Sequence, residues 1–196
     1  MKHWLRQIFR LDARCSKALY IPPEKKVISI ILKVFAHSGD SWFWLAGLFL
    51  VWLFSIGPWR ERTLFLGVGL VIMAAAVILL KFSIRRPRPE GEWGQIYRIT
   101  DPHSFPSGHA ARSAALAVMA ATLGPAWFGW VLCLWAPWVG LSRVALGVHY
   151  LSDVLAGWVI GALMGMVALL LRPFVVQLLS MFEKAPGVLQ QYQTSE

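Results

Sequence analysis

The sequence predicts an all-α, polytopic membrane helix bundle with five transmembrane helices and an N-terminal amphipathic region able to supply a short sixth. Three observations predict it. Apolar residues make up 57% of the 196 positions and charged residues only 15%, against about 25% charged in soluble domains. Apolar runs close to the ~20 residues that span a bilayer recur along the chain. Eleven tryptophans suit the two membrane interfaces, where indoles gather. Cys15 and Cys133 are too few for a disulfide scaffold. The net charge of +9 asks for an anionic partner: nucleic acid, anionic lipid or a phosphorylated substrate.

Residues 1–26 form a basic segment. Trp4, Leu5, Ile8, Phe9 and Leu11 alternate there with Lys2, Arg6, Arg10 and Arg14, the pattern of a helix lying on anionic headgroups. Val27 to Phe35 is apolar, but Ser29, Lys33 and His37 fall at i, i+4 and i+8. One polar stripe on a short helix fits an interfacial segment or an oblique crossing. Charge bias favours six crossings, because the seven Lys/Arg of the first 26 residues then lie inside. Helix length and the polar stripe favour five.

The transmembrane unit covers 27–172. Its spans are Trp42 to Phe54, Thr63 to Leu80, Ala110 to Leu123, Trp127 to Leu141 with Pro137 inside, and Leu151 to Leu171. Gly157, Gly161 and Gly165 recur every four residues in the last span, which lets helix backbones approach closely in lipid. Residues 173–196 read as a cytoplasmic tail. With the loop from Ser83 to Phe105 facing outward, Pro58 to Arg62 face the cytoplasm.

That loop breaks the positive-inside rule. Lys81, Arg85, Arg86, Arg88 and Arg98 crowd into 18 residues, and Arg143 ends another helix. Such a cluster serves either a phosphate or lipid headgroups. Phe105-Pro106-Ser107-Gly108-His109 precedes an apolar helix. Ser107 stands as its N-cap, and the free N–H groups of Gly108 and His109 make an anion-binding terminus. Further on, His149 and Asp153 lie one turn apart. A carboxylate there can hold Nδ1–H and leave Nε2 free.

Together these pieces read Lys81, six residues, Arg88-Pro89; then Pro106-Ser107-Gly108-His109; then Ser142-Arg143, five residues, His149, three residues, Asp153. This resembles the full signature of the type 2 phosphatidic acid phosphatase superfamily, which also includes vanadium haloperoxidases and glucose-6-phosphatase. All eleven signature positions match in order and spacing. The resemblance implies that His149 is the nucleophile and forms a phosphohistidine. It implies that Asp153 orients His149, and that His109 is general acid and then base. Lys81, Arg88, Arg143, Ser107 and the Gly108 N–H would hold the phosphate oxygens. It implies no metal and no cofactor, and the sequence has no His/Cys/carboxylate cluster at ligand spacing.

The expected function is thus an integral-membrane lipid phosphate phosphatase. Its substrate would be a phosphomonoester or diphosphate lipid of the phosphatidate, phosphatidylglycerophosphate or undecaprenyl diphosphate type. The expected partners are that substrate and membrane lipids, without nucleic acid. The expected place is the plasma (inner) membrane, with the site on the outer face. The alternatives are a lipid phosphotransferase with the same site and a non-catalytic basic lipid-binding or transport protein. Outside the signature, Arg112 stands three residues after His109. It either touches substrate or pairs with Asp101, Glu90 or Glu92.

Overall fold

The computed structural model describes residues 2–90 and 101–183. Glu92 and Arg98 of the basic loop and residues 184–196 of the expected tail lie outside the described residues. Among the described residues the chain forms seven helices: α1 (Lys2–Leu19), α2 (Lys26–Ser38), α3 (Ser41–Phe54), α4 (Pro58–Ile84), α5 (Gly108–Leu123), α6 (Ala126–Ala145) and α7 (Leu151–Glu183).

Three of them are long and apolar enough to cross a bilayer: α4, α6 and the Leu151–Gln177 stretch of α7. Five segments were expected to do so. The two that fall short do so for different reasons. The apolar α3 has 14 residues, about 21 Å at 1.5 Å per residue. The 16 residues of α5 are alanine-rich because its neighbours, rather than lipid, enclose it. Ala110, Ala111, Ala115, Leu116, Met119 and Ala120 are all buried.

Local sequence explains the helix ends. Pro58 starts α4, where its missing N–H and fixed φ cost nothing. Arg85 closes α4 in the left-handed conformation, φ 52°, and its N–H donates to the Lys81 carbonyl at 2.9 Å. Pro137 sits inside α6 without ending it. The last helix runs past Pro173 to Glu183, well beyond the boundary at 172 that its composition predicts.

The core is the α5–α7 contact, and three glycines make it. A Cβ on Gly157 would stand 2.6 Å from the Ser107 carbonyl, one on Gly161 would overlap the Ala111 backbone, and one on Gly165 would stand 3.1 Å from the Ala115 carbonyl. The glycine repeat is therefore a packing seam.

The polar stripe of α2 turns toward the bundle at Ser29 and Lys33, while His37 at its end is exposed. Ser29 is buried and Lys33 half-buried, while Val27, Ile30, Ile31 and Val34 are exposed. In α1, Ser16 is buried and Asp12 half-buried, while Trp4, Ile8, Phe9 and Leu11 are exposed.

Gly161→Ala is expected to lower the thermal midpoint by about 5–10 °C, since overpacking against a backbone costs about 1–3 kcal/mol or more. Gly47→Ala meets open space and should leave the midpoint unchanged. Equal midpoints for both variants would contradict the seam.

Candidate active site

The ends of α4, α5, α6 and α7 meet at one end of the bundle. The turn before α7 is set by Gly147, whose φ of +69° suits a residue without Cβ. The strand-like stretch after α4 pairs with the chain ahead of α5. Pro87 bridges His103, and Ser104 N–H donates to the Arg86 carbonyl at 2.8 Å. Ser107 N–H donates to the Asp153 carbonyl at 3.0 Å, which ties the start of α5 to the start of α7.

The signature residues converge. Lys81, Gly108, His109, Arg143 and His149 line one cavity of about 410 Å³. Arg88 lies against His149, with Nη1 3.2 Å from the imidazole Nε2. Ser107 occupies the N-cap position, but its hydroxyl makes no cap bond and is buried without a partner. The α5 terminus is thus left open for an anion.

An anion already spans two of the cations. Asp101 Oδ2 accepts from Lys81 Nζ at 2.6 Å and stands 2.8 Å from Arg88 Nη2. Lys81 also donates to the His103 carbonyl at 2.8 Å, and Arg88 Nε donates to the Asp101 carbonyl at 2.7 Å.

Arg88 can only donate, so His149 Nε2 is the accepting nitrogen and its proton resides on Nδ1. That Nδ1 lies 3.6 Å from Asp153 Oδ2, an ion-pair separation too long for the expected hydrogen bond. The carboxylate is held elsewhere. Tyr150 N–H donates to Oδ2 at 2.9 Å, and Arg86 Nη1 donates to Oδ1 at 2.8 Å. Catalytic hydrogen bonds are often long without substrate. Burial pushes the His149 pKa well below the imidazole range, and the nearby Arg88, Arg143 and Lys81 cations push the same way.

Three acidic residues that sequence reasoning did not assign complete the site. Asp12 of α1 accepts from Arg86 Nη2 at 2.6 Å and from Ser152 N–H at 3.0 Å, so α1 caps α7 and braces the cation that holds Asp153. The second is Asp101. The third is Asp40, between α2 and α3, whose Oδ1 lies 2.7 Å from His109 Nε2. Burial alone would raise the Asp40 carboxyl. Hydrogen bonds from His109 and His37 outweigh that and hold it down at about 2. Arg112 pairs with neither Asp101 nor Glu90; it donates to the Gly39 carbonyl and lines the cavity. An i, i+4 spacing made the His149–Asp153 pair legible, but no spacing marks contacts that cross between helices.

A family model, the PAP2 superfamily, matches residues 62–176. The chain belongs to that superfamily. It is 32% identical over 131 residues, 66% of this chain and 72% of the relative, to decaprenylphosphoryl-5-phosphoribose phosphatase of Mycobacterium tuberculosis. It is 33% identical over 133 residues, 63% of this chain and 61% of the relative, to undecaprenyl-diphosphatase of Sulfolobus acidocaldarius. Its fold matches the transmembrane PAP2-type phosphatidylglycerolphosphate phosphatase of Bacillus subtilis with a TM-score of 0.67, at 24% identity, covering 83% of this chain and 84% of that one. The apolar helices and this kinship make it an integral membrane protein. Every signature residue falls inside the PAP2 match, whereas Asp12 and Asp40 fall outside it.

Two cavities reach the PAP2 histidines. The first has a cationic floor and an apolar wall of Met73, Ala74, Val77 and Ile78. The second, about 650 Å³, reaches His149 from beneath α1, between Lys17, Tyr20, Arg88 and Tyr150. An apolar groove of about 520 Å³ between α3 and α4 is lined by no titratable group. Among the described residues, no three His, Cys, Asp or Glu side chains converge as a metal would require.

The depressed pKa of His149 has a stability consequence. The unfolded imidazole takes up a proton below about pH 6.5, while the folded one resists until lower pH. Stability present above pH 6.5 is therefore lost as pH falls below it. His149→Gln should remove part of the fall in thermal midpoint between pH 7 and pH 5. An identical fall in the variant would exclude His149 as that group.

Proposed function

We propose that this PAP2 protein is a lipid phosphate phosphatase working through a phosphohistidine. One observation carries the proposal: both imidazoles, the cations Lys81 and Arg143, and an apolar wall from α4 line a single cavity. That combination fits an amphiphile, with its tail along α4 and its phosphoryl group at the helix ends. The named activities of the relatives, on polyprenyl-linked phosphates and diphosphates, support the same class. Phosphatidate and phosphatidylglycerophosphate are the further candidates.

In the proposed mechanism Lys81, Arg88, Arg143, Ser107 and the Gly108 N–H hold the non-bridging oxygens. They stabilise charge on the phosphoryl group in transfer. His149 Nε2 attacks phosphorus while the bond to the lipid oxygen breaks. His109 gives its proton to that leaving oxygen. Asp153, braced by Arg86, stabilises the cationic phosphohistidine. Water then attacks phosphorus, His109 takes its proton, and the bond electrons return to His149 Nε2.

The membrane reading follows from the other end of the bundle. Arg172 of α7 pairs with Glu61 of α4 at 2.7 Å, near Arg60 and Arg62 at the start of α4. Positive charge on short segments marks the cytoplasmic side, and these three arginines support the reading in which the histidines face outward across the plasma membrane. Asp12 and Ser16 of α1 contact the site end, as does Asp40 after α2, which supports five crossings over six.

Purified protein should release phosphate from a panel of phosphatidate, phosphatidylglycerophosphate and undecaprenyl diphosphate. His149→Ala should lose at least about a thousandfold in kcat, as loss of a nucleophile does. The acid limb of the pH–rate profile should lie below the ordinary imidazole value of about 6.5, because attack needs neutral His149. An active His149→Ala protein would contradict the nucleophile. Asp101→Asn should tighten inhibition by inorganic phosphate about threefold to tenfold, the worth of one partly exposed ion pair of about 1 kcal/mol. Unchanged inhibition would show that Asp101 does not compete for the cage.

A further inference from the structure

The signature supplies His149 with a carboxylate, Asp153, and supplies none for His109. The structure does. Asp40, outside the PAP2 match, stands 2.7 Å from His109 Nε2, a shorter separation than the 3.6 Å between His149 and Asp153. We infer that Asp40 is the positioning residue of the general acid, fixing the His109 tautomer and supporting its cationic form during proton transfer. This inference rests on the phosphatase reading and goes one residue beyond it.

A carboxylate only accepts hydrogen bonds, so His109 Nε2 carries a proton. The remaining nitrogen, Nδ1, is then the one that exchanges a proton with the substrate. In the first half-reaction, Nδ1–H passes its proton to the lipid oxygen as the P–O bond breaks and the His149 Nε2–P bond forms. The ring is left neutral, with Nε2–H still on Asp40. In the second half-reaction, Nδ1 takes a proton from water as the new P–O bond forms. Its cationic form is then balanced by the Asp40 charge.

The α2–α3 junction is built to hold that carboxylate in place. Gly39 packs so closely that a Cβ would stand 3.3 Å from the His109 ring and 2.7 Å from Val139. Arg112, one turn along α5 from His109, donates to the Gly39 carbonyl. Trp44 Nε1 donates to the Ser38 carbonyl and Trp135 Nε1 to the Ser38 hydroxyl, each at 2.8 Å. His37 Nδ1 lies 3.1 Å from the second Asp40 oxygen. His109 and Arg112 are thus anchored to one loop. Arg112 acts there through Gly39, the role that pairing with Asp101 or Glu90 does not fill.

The test compares leaving groups. An alkyl phosphate such as phosphatidate needs its leaving oxygen protonated, whereas p-nitrophenyl phosphate releases an anion that needs no acid. Asp40→Asn keeps the shape and removes the charge. It should lower kcat on phosphatidate about 10- to 100-fold, within the range of general acid–base effects, with KM little changed. The pre-steady-state burst of p-nitrophenolate should stay within about threefold of wild type. Equal losses on both substrates would overturn the inference and make Asp40 a purely structural residue, as would full activity on phosphatidate. Asp40→Glu keeps the charge and displaces it by one methylene; if the asparagine variant fails to fold, the same ratio is read there. A wild-type protein giving neither phosphate nor burst would refute the phosphatase reading itself, an outcome distinct from unequal behaviour of the variants.

Discussion

The close approach of the α5 and α7 backbones is the constraint on which the rest of the structure depends. Gly157 lies against the Ser107 carbonyl, and Ser107 N–H donates to the Asp153 carbonyl. These contacts bring two signature motifs, some forty residues apart in sequence, into one site. A single methyl group at Gly157 or Gly161 would push apart the helix start that presents His109 and the one that follows His149. Lipid gives helices no hydrophobic reason to associate, so small residues at the seam must supply the contact. The seam is therefore as much a part of the active-site geometry as the histidines.

Bringing those helix ends together concentrates positive charge, and the protein answers with carboxylates from four separate segments. Asp101 spans Lys81 and Arg88. Asp153 and Asp12 share Arg86. Asp40 meets His109 and His37. A buried charge without a partner costs several kcal/mol, so a phosphate cage of this density needs such counter-charges before substrate arrives. They differ in mobility. Asp101 is partly exposed, its side chain at 41%, whereas Asp153 is fully buried. The carboxylate that spans the cage is thus the one with freedom to yield to a phosphate, and the one that supports His149 is fixed.

How much of this was legible in the sequence follows from which contacts are local. The Pro106–His109 turn, the His149–Asp153 spacing and the glycine repeat are short-range patterns, and each can be read along the chain. Their convergence was legible only through the resemblance to the type 2 phosphatidic acid phosphatase signature. Asp12, Asp40 and Asp101 were not assigned, because each reaches its site partners 13 or more residues away on another segment, where spacing says nothing. Arg86 went without a role for the same reason, although it bridges α1 to Asp153. The polar stripe of α2 was visible, but its inward orientation depends on helices that come later in the chain. The enclosure of α5 by its neighbours was not legible, because burial by protein and burial by lipid leave similar apolar runs.

In the proposed mechanism the two histidines take opposite tasks in unlike surroundings. His149 must present a lone pair. It sits among cations, its Nε2 accepts from Arg88, and its carboxylate is already committed to Arg86 and the Tyr150 N–H. Burial and the surrounding cations favour the neutral ring, and its pKa is depressed accordingly. His109 must hold a proton and give it up at one moment. It meets the Asp40 carboxylate directly through Nε2, which in the proposal leaves Nδ1 for the proton transfer. If the two carboxylates were exchanged in tightness, the nucleophile would be drawn toward its protonated, inert form and the acid would lose the charge that supports it. In the proposed two-step displacement, the difference between 2.7 Å at one histidine and 3.6 Å at the other matches the division of labour between acid and nucleophile.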